Sequence, residues 1–246
     1  SDVLLEQIKE TEIWITPIDD WLVPTERGYR VNRALLAQHI AREENNDLIF
    51  VNQTFWKYEK GLWERLEDGH IRSQIHKIIS EREDALGSLT SALVDDIFKQ
   101  LGMILMAPRG FSFNQNPMVL NFTNGVLDLK TGKFSDIHQR ELFQNIQFPF
   151  DFDRDQKCPQ WLEFLKSLNF DDETVMRLQE WVGYCLLPRV IGTLQKSLFF
   201  IGEGSNGKSV FLETIASVLD NVSHLELSEL FDRFKIAEIE GKLANI

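Results

Sequence analysis

One stretch constrains this chain more than any other. The apolar run Ser197–Ile201 (SLFFI) leads into Gly202-Glu203-Gly204-Ser205-Asn206-Gly207-Lys208-Ser209, and Val210 opens an apolar pattern that continues to Leu219. A short apolar run stopped by glycine reads as a strand buried on both faces. Beyond the turn, Phe211, Ile215 and Val218, with Leu212, Ala216 and Leu219, recur at helical spacing, so a helix with a broad buried face is predicted from about Lys208 to Leu219. Strand, glycine-rich turn and helix in this order match the pattern G-x-x-x-x-G-K-[ST] in its required context. The reasons for each residue type are separable. Glycines at 202, 204 and 207 permit the positive φ angles that turn successive N–H groups inward as an anion nest. Lys208 brings a mobile positive charge to phosphate oxygens, and the Ser209 hydroxyl suits the oxygen shell of Mg²⁺. The start of the helix adds the positive end of its dipole. Gly202 through Val210 are therefore the candidate cradle for a nucleoside triphosphate, with Lys208 the candidate catalytic group and Ser209 the candidate Mg²⁺ ligand. No guanine-reading Asn-Lys-x-Asp follows the loop in this chain.

Upstream, the sequence alternates helix and hairpin signals. NRALLAQHIAREEN predicts a helix with Asn32 as its N-cap. LIFVNQTFWKYEKGLWERL predicts three short strands, turned at Asn52-Gln53 and at Glu59-Lys60-Gly61. EDGHIRSQIHKIISERED places Ile71, Ile75 and Ile78 on one helical face. SLTSALVDDIFKQLGMILM places Leu93, Ile97, Leu101 and Leu105 on another, with Pro108 as the stop. MVLNFTNGVLDLKTGKF reads as β-structure with turns at Asn124-Gly125 and Lys130-Thr131-Gly132. Residues 148–160 read as a polar, proline-bounded connector. Two helices follow, one with Pro159 in its first turn and one with an acidic cap and Pro188 as its stop. Three domains are expected: 1–150, a mixed α+β domain with small hairpins; 151–192, a helical connector; and 193–246, the start of a phosphate-loop α/β core. The overall class is α/β.

Charge excludes one broad role. Acidic residues number 38 against 26 Lys and Arg, a net charge of −12, and no basic run of five or six appears. A surface that coats nucleic acid carries a basic stripe, so any such contact here is expected to be confined to a small patch, shared between subunits, or made by residues beyond this sequence. No apolar run approaches the length of a membrane span, so no membrane partner is expected. Cys158 and Cys185 lack metal-ligand spacing and fit a reducing compartment.

Three further constellations have bland readings beside sharper ones. Asp151, Asp153 and Asp155 open like a calcium loop, but Gln156 and Leu162 stand where that loop needs Gly and Glu; a solvated connector is the better reading. His70, Arg72, His76, Lys77 and Arg82 form the most basic short stretch, either a nucleic-acid contact or a solvated helix face. Phe55, Trp56, Tyr58 and Trp63 interleave with Lys57, Lys60 and Arg65; they are either a stacking platform for single-stranded bases or, in the favoured reading, the apolar face of a small sheet. Trp161, Phe164, Leu165, Val175, Leu178 and Trp181 follow helical spacing, as packing against the phosphate-loop core or a neighbouring subunit requires.

Taken with GEGSNGKSVFLETI, the stretches WVGYCLLP, QKSLFFIG and GKLANI resemble the phage and plasmid primase-helicases. These are superfamily 3 helicases of the AAA+ class, related to the poxvirus primase-helicase. FWKYEKGLWERL, FTNGVLDLKTGKF and CPQWLEFL resemble the domain that precedes the helicase core in that family. The resemblance implies an ATP-dependent DNA helicase of a replicating mobile element, using ATP and Mg²⁺, assembled as a homo-hexameric ring on single-stranded DNA in the cytosol of a bacterial host. It also allows a primase domain or subunit. In that family a second acidic motif lies on a strand about where Lys242–Ile246 falls; the acids are expected beyond Ile246, so the chain alone is expected to hydrolyse ATP negligibly. Two other classes stay open: an oligomerisation or partner-docking module spanning residues 1–190, and a non-helicase phosphate-loop ATPase such as a replication initiator.

Overall fold

Short polar turns with left-handed residues set the architecture, because they fold neighbouring strands into small antiparallel sheets. The computed structural model describes residues 20–26, 28–82, 89–187, 197–204, 206–219, 222–232, 235 and 244–245. They fall into two compact units, one drawn from 1–58 and 64–111, the other from 59–63 and 112–246. The class is mixed α/β, with helices and small antiparallel sheets.

Among the described residues, the first unit opens with a hairpin of β1 (Leu22–Thr25) and β2 (Gly28–Val31). Helix α1 (Arg33–Glu43) begins where expected: the Asn32 side chain accepts the Leu35 N–H at 3.2 Å, satisfying one of the donors a helix start leaves over. The predicted three-stranded meander forms from β3 (Leu48–Val51), β4 (Thr54–Glu59) and β5 (Leu62–Leu66). Asn52 and Gln53, then Lys60 and Gly61, all take positive φ, the paired left-handed geometry that matches strand twist in two-residue hairpins.

Helix α2 (Asp68–Ser80) buries Ile71, Ile75 and Ile79, whereas Ile78, expected on that face, is only partly buried. Steps of four place 71, 75 and 79 in one row, and the row is tilted toward the core by the i±4 ridge. Helix α3 (Ser91–Ile104) buries Val94, Ile97, Phe98 and Leu101. Leu93 and Leu105, expected in the buried row, lie at its margin. The helix stops before Pro108 because the chain turns into an extended segment: the Phe50 N–H donates to Leu105 O at 2.8 Å and the Ala107 N–H to Phe50 O at 2.9 Å, a parallel bridge on the β3 edge. Phe55 is fully buried between Phe50 and Phe98, ring centroids 4.6 and 5.1 Å away.

The second unit is built on a meander of β6 (Val119–Phe122), β7 (Gly125–Asp128) and β8 (Lys133–Ser135). Thr123 and Asn124 form the turn, and Gly125 is already in the strand, opposite Phe122. The segment 148–152, expected to be a polar connector, contributes to this core: Phe148 is 2% exposed and bridges Phe122, and the rings of Phe148, Phe150 and Phe152 lie 5.2 to 5.8 Å from that of Phe122. Its signal was period-two alternation of Phe with polar residues. Trp63 is 1% exposed; its indole donates to Arg140 O at 3.0 Å and stacks on Phe143.

Helices α4 (Pro159–Ser167), α5 (Asp172–Cys185) and α6 (Lys208–Leu219) belong to the same unit. Pro159 sits at the first helical position, where its missing N–H costs nothing. Asp171 caps α5 by accepting the Thr174 N–H at 2.7 Å; Pro188 lies outside the described residues. Leu165, Leu178, Phe211, Ile215 and Leu219 share one core with Leu120, Phe122, Leu127 and Phe148.

One expectation is overturned. Residues 197–201 form no strand: Phe199 is 71% and Ile201 95% exposed. A strand exists through its ladder partners. Among the described residues the parallel pairing here is between two-residue strands, β9 (Val222–Ser223) and β10 (Ala244–Asn245), and neither pairs with 197–201.

Candidate functional site

The loop is held at both ends by the packing of its own unit. Before it, the Phe200 ring lies 5.1 Å from Phe211 of α6, and Trp161 of α4 lies 5.3 Å from the same Phe211. After it, Gly207 passes tightly over the end of α4. A Cβ there would stand 2.7 Å from Leu168 Cδ2 and 3.3 Å from the Phe164 ring, and φ is +82°. Glycine is therefore required at 207 on two counts, space and backbone sign. The expected nest of three left-handed glycines does not form: Gly207 takes positive φ, whereas Gly202 and Gly204 do not.

Lys208 organises the loop. Its Nζ donates to Gly202 O at 2.9 Å, Glu203 O at 2.8 Å and Asn206 Oδ1 at 2.7 Å. An ammonium has three protons, so these bonds use its full capacity. The same closeness makes Gly202 a tight position, since a Cβ on it would meet Asn206 Nδ2 at 2.4 Å. Gly204 has no neighbour within 4 Å of such a Cβ. Ser209 and Val210 face solvent in the first turn of α6, and Glu203 is exposed. Ser205 lies outside the described residues. The structure thus brings Gly202, Glu203, Asn206, Gly207 and Lys208 together, with Ser209 and Val210 adjacent.

Chemically the donor set suits an anion. The Phe211 N–H closes the first helical bond on Gly207 O at 2.9 Å, so the N–H groups of Lys208, Ser209 and Val210 have no partner within the helix and point out of its start. The open Ser209 hydroxyl adds one hard oxygen of the kind Mg²⁺ takes, and the Lys208 ammonium lies beside it with its three protons on loop acceptors. These groups are of the chemical kinds that a phosphate chain and Mg²⁺ take.

Several members of the other constellations are engaged within the fold. Arg72 is engaged by Asp95 and sits over the Phe98 ring at 4.1 Å, and Lys57 pairs with Glu44 at 3.0 Å, so neither offers a bare basic patch; His70, His76 and Lys77 line the exposed face of α2. Asp151 accepts from Thr123 Oγ1 at 2.6 Å and Asp153 from the Asp155 N–H at 2.9 Å. Among the described residues no group of three or more His, Cys, Asp or Glu is placed to hold a metal. Burial raises the Cys185 thiol above its usual range, which keeps it protonated and inert. Hydrogen bonds from Thr174 hold Asp171 below the usual carboxylate range, and hydrogen bonds led by the Thr131 N–H do the same for Asp128. Among the described residues no helix is long and apolar enough to cross a membrane.

Against known proteins, the family model described as D5 N terminal like matches residues 35–168, more than half the chain. The matched span runs from α1 to the residue that caps α4. No curated protein matches.

Proposed function

Because the chain belongs to the D5 N-terminal-like family, a domain of D5-like primase-helicase replication proteins, we propose that it serves an ATP-dependent DNA helicase of a replicating phage or plasmid. Residues 1–150 are the N-terminal domain, 151–192 a helical connector and 193–246 the start of a superfamily 3, AAA+ core. The observation that carries the nucleotide reading is the Lys208 ammonium gathered at the mouth of α6 beside the open Ser209 hydroxyl.

In this reading Lys208 exchanges its three loop acceptors for phosphate oxygens, and charge-assisted bonds of that kind are about twice as strong as neutral ones. The N–H groups of the first turn of α6 orient the phosphate chain, and Gly207 lets the backbone approach it. Ser209 contributes one oxygen to Mg²⁺, which when bound neutralises charge on the phosphates. The ring assembly and single-stranded DNA contacts implied by the family resemblance belong to this proposal. Titration of Mg-ATP into the chain tests it: Lys208→Ala weakens binding about ten- to a hundredfold, the worth of one hydrogen bond to a charged group. Equal affinity for parent and variant would sink the reading.

A second reading is favoured by one observation: the matched family span, 35–168, ends before the loop begins. Residues 1–190 would then act as an oligomerisation or partner-docking module of a replication protein. Light scattering separates the two, since oligomers that persist in Lys208→Ala with no response to Mg-ATP support the module.

A further inference from the structure

The sequence contains two Asn-Gly pairs, Asn124-Gly125 and Asn206-Gly207, and the structure gives them opposite surroundings. We propose that Asn206 is a site of self-modification: it cyclises onto Gly207 and loses ammonia, and Lys208 accelerates the step.

In this reaction the Gly207 backbone nitrogen gives up its proton and attacks Asn206 Cγ. A C–N bond forms, the Cγ–Nδ2 bond breaks, and ammonia leaves a five-membered succinimide. Water then opens the ring at either carbonyl, giving aspartate or isoaspartate; no other reactant is needed. Four features at 206 favour it. Asn206 is exposed, and Gly207 has no Cβ to obstruct the approach. The Gly207 N–H precedes α6, whose first internal bond is Phe211 N–H to Gly207 O, so attack breaks no helical hydrogen bond. Most telling, Lys208 Nζ donates to Asn206 Oδ1 at 2.7 Å. That oxygen becomes the oxyanion of the tetrahedral intermediate, and a positioned ammonium stabilises developing negative charge there.

Asn124 is the internal contrast. Its Oδ1 accepts the Phe152 N–H at 2.8 Å and its Nδ2 donates to Phe152 O at 3.1 Å, a clamp that fixes both ends of the amide. Gly125 is a ladder residue of β7. Cyclisation at 124 would have to break both clamp bonds.

The product matters to the loop. An aspartate at 206 places a carboxylate against the Lys208 ammonium and pairs it internally, and an isoaspartate lengthens the backbone by one carbon. Either change withdraws Lys208 from a phosphate; this consequence, unlike the chemistry, rests on the proposed nucleotide reading.

Ageing the chain in mildly alkaline buffer, followed by peptide mapping with mass spectrometry and isoaspartate detection, tests the proposal. Asn206 should convert about tenfold faster than Asn124, and Lys208→Met should slow Asn206 about tenfold while leaving Asn124 unchanged, the effect of one charge-assisted hydrogen bond on a barrier. Lys208→Arg, which keeps a cationic donor, should retain most of the rate. Conversion at 206 no faster than at 124, or a Lys208→Met rate equal to the parent's, overturns the proposal. These readouts do not involve nucleotide, so a chain that fails to bind Mg-ATP yet ages at Asn206 counts against the nucleotide reading alone.

Discussion

Gly125, Gly207 and Gly204 carry three grades of constraint that the sequence does not distinguish. At Gly125, φ is +149° and a Cβ would stand 2.1 Å from the backbone oxygen of Ser135, an obstacle that cannot rotate away. At Gly207 the nearest obstacle is a flexible leucine tip, and at Gly204 there is none. Urea unfolding should therefore rank the alanine variants. Gly125→Ala costs about 3 kcal/mol, Gly207→Ala about 1–2 kcal/mol, and Gly204→Ala stays within about 0.5 kcal/mol of the parent. Equal losses at all three would show that the loop and the meander are looser than described. The motif pattern singled out 202, 204 and 207 as equivalent, because a pattern records which residues occur and not which φ each one takes.

For helices, capping chemistry was legible and burial rows were less so. Asn32 and Asp171 cap α1 and α5 as their positions in the sequence predict, since a cap needs only residues within one turn. The Ile78/Ile79 exchange in α2 and the early stop of α3 depend on partners far along the chain, and no local rule encodes them. The same holds for 197–201: the run has strand composition, but a strand is completed by its neighbours. Asn32→Ala should cost about 1 kcal/mol in thermal unfolding. Asp171 adds a pH signature. Its folded pKa lies below the unfolded value, held there by the Thr174 hydrogen bonds. Its stabilisation is therefore present above the unfolded carboxylate value of about 4 and is lost as pH falls toward and through the lower folded value. Asp171→Asn, which keeps a capping oxygen, should flatten that part of the acid-stability profile; an unchanged profile would remove the cap from the account.

At the scale of the whole molecule, two cores with no residue in common stabilise the fold. Phe55→Ala removes the ring at the centre of the first and should cost about 3–5 kcal/mol; a variant that kept its stability but lost nucleic-acid binding would restore the stacking role that its burial argues against. Phe211 touches Trp161 and Phe200 in the second, so Phe211→Ala should lower hydrogen-exchange protection in α4, α5 and α6 together, while a loss confined to α6 alone would contradict a shared core. The bridge that the 105–107 segment makes on β3 has a different consequence. An uncovered strand edge is a template on which a foreign strand, or a copy of the same chain, can add itself through backbone pairing. At Phe50 both main-chain groups are already spent on Leu105 and Ala107. At Phe50 that border offers only a side chain, and a peptide seeking strand addition finds this rung taken.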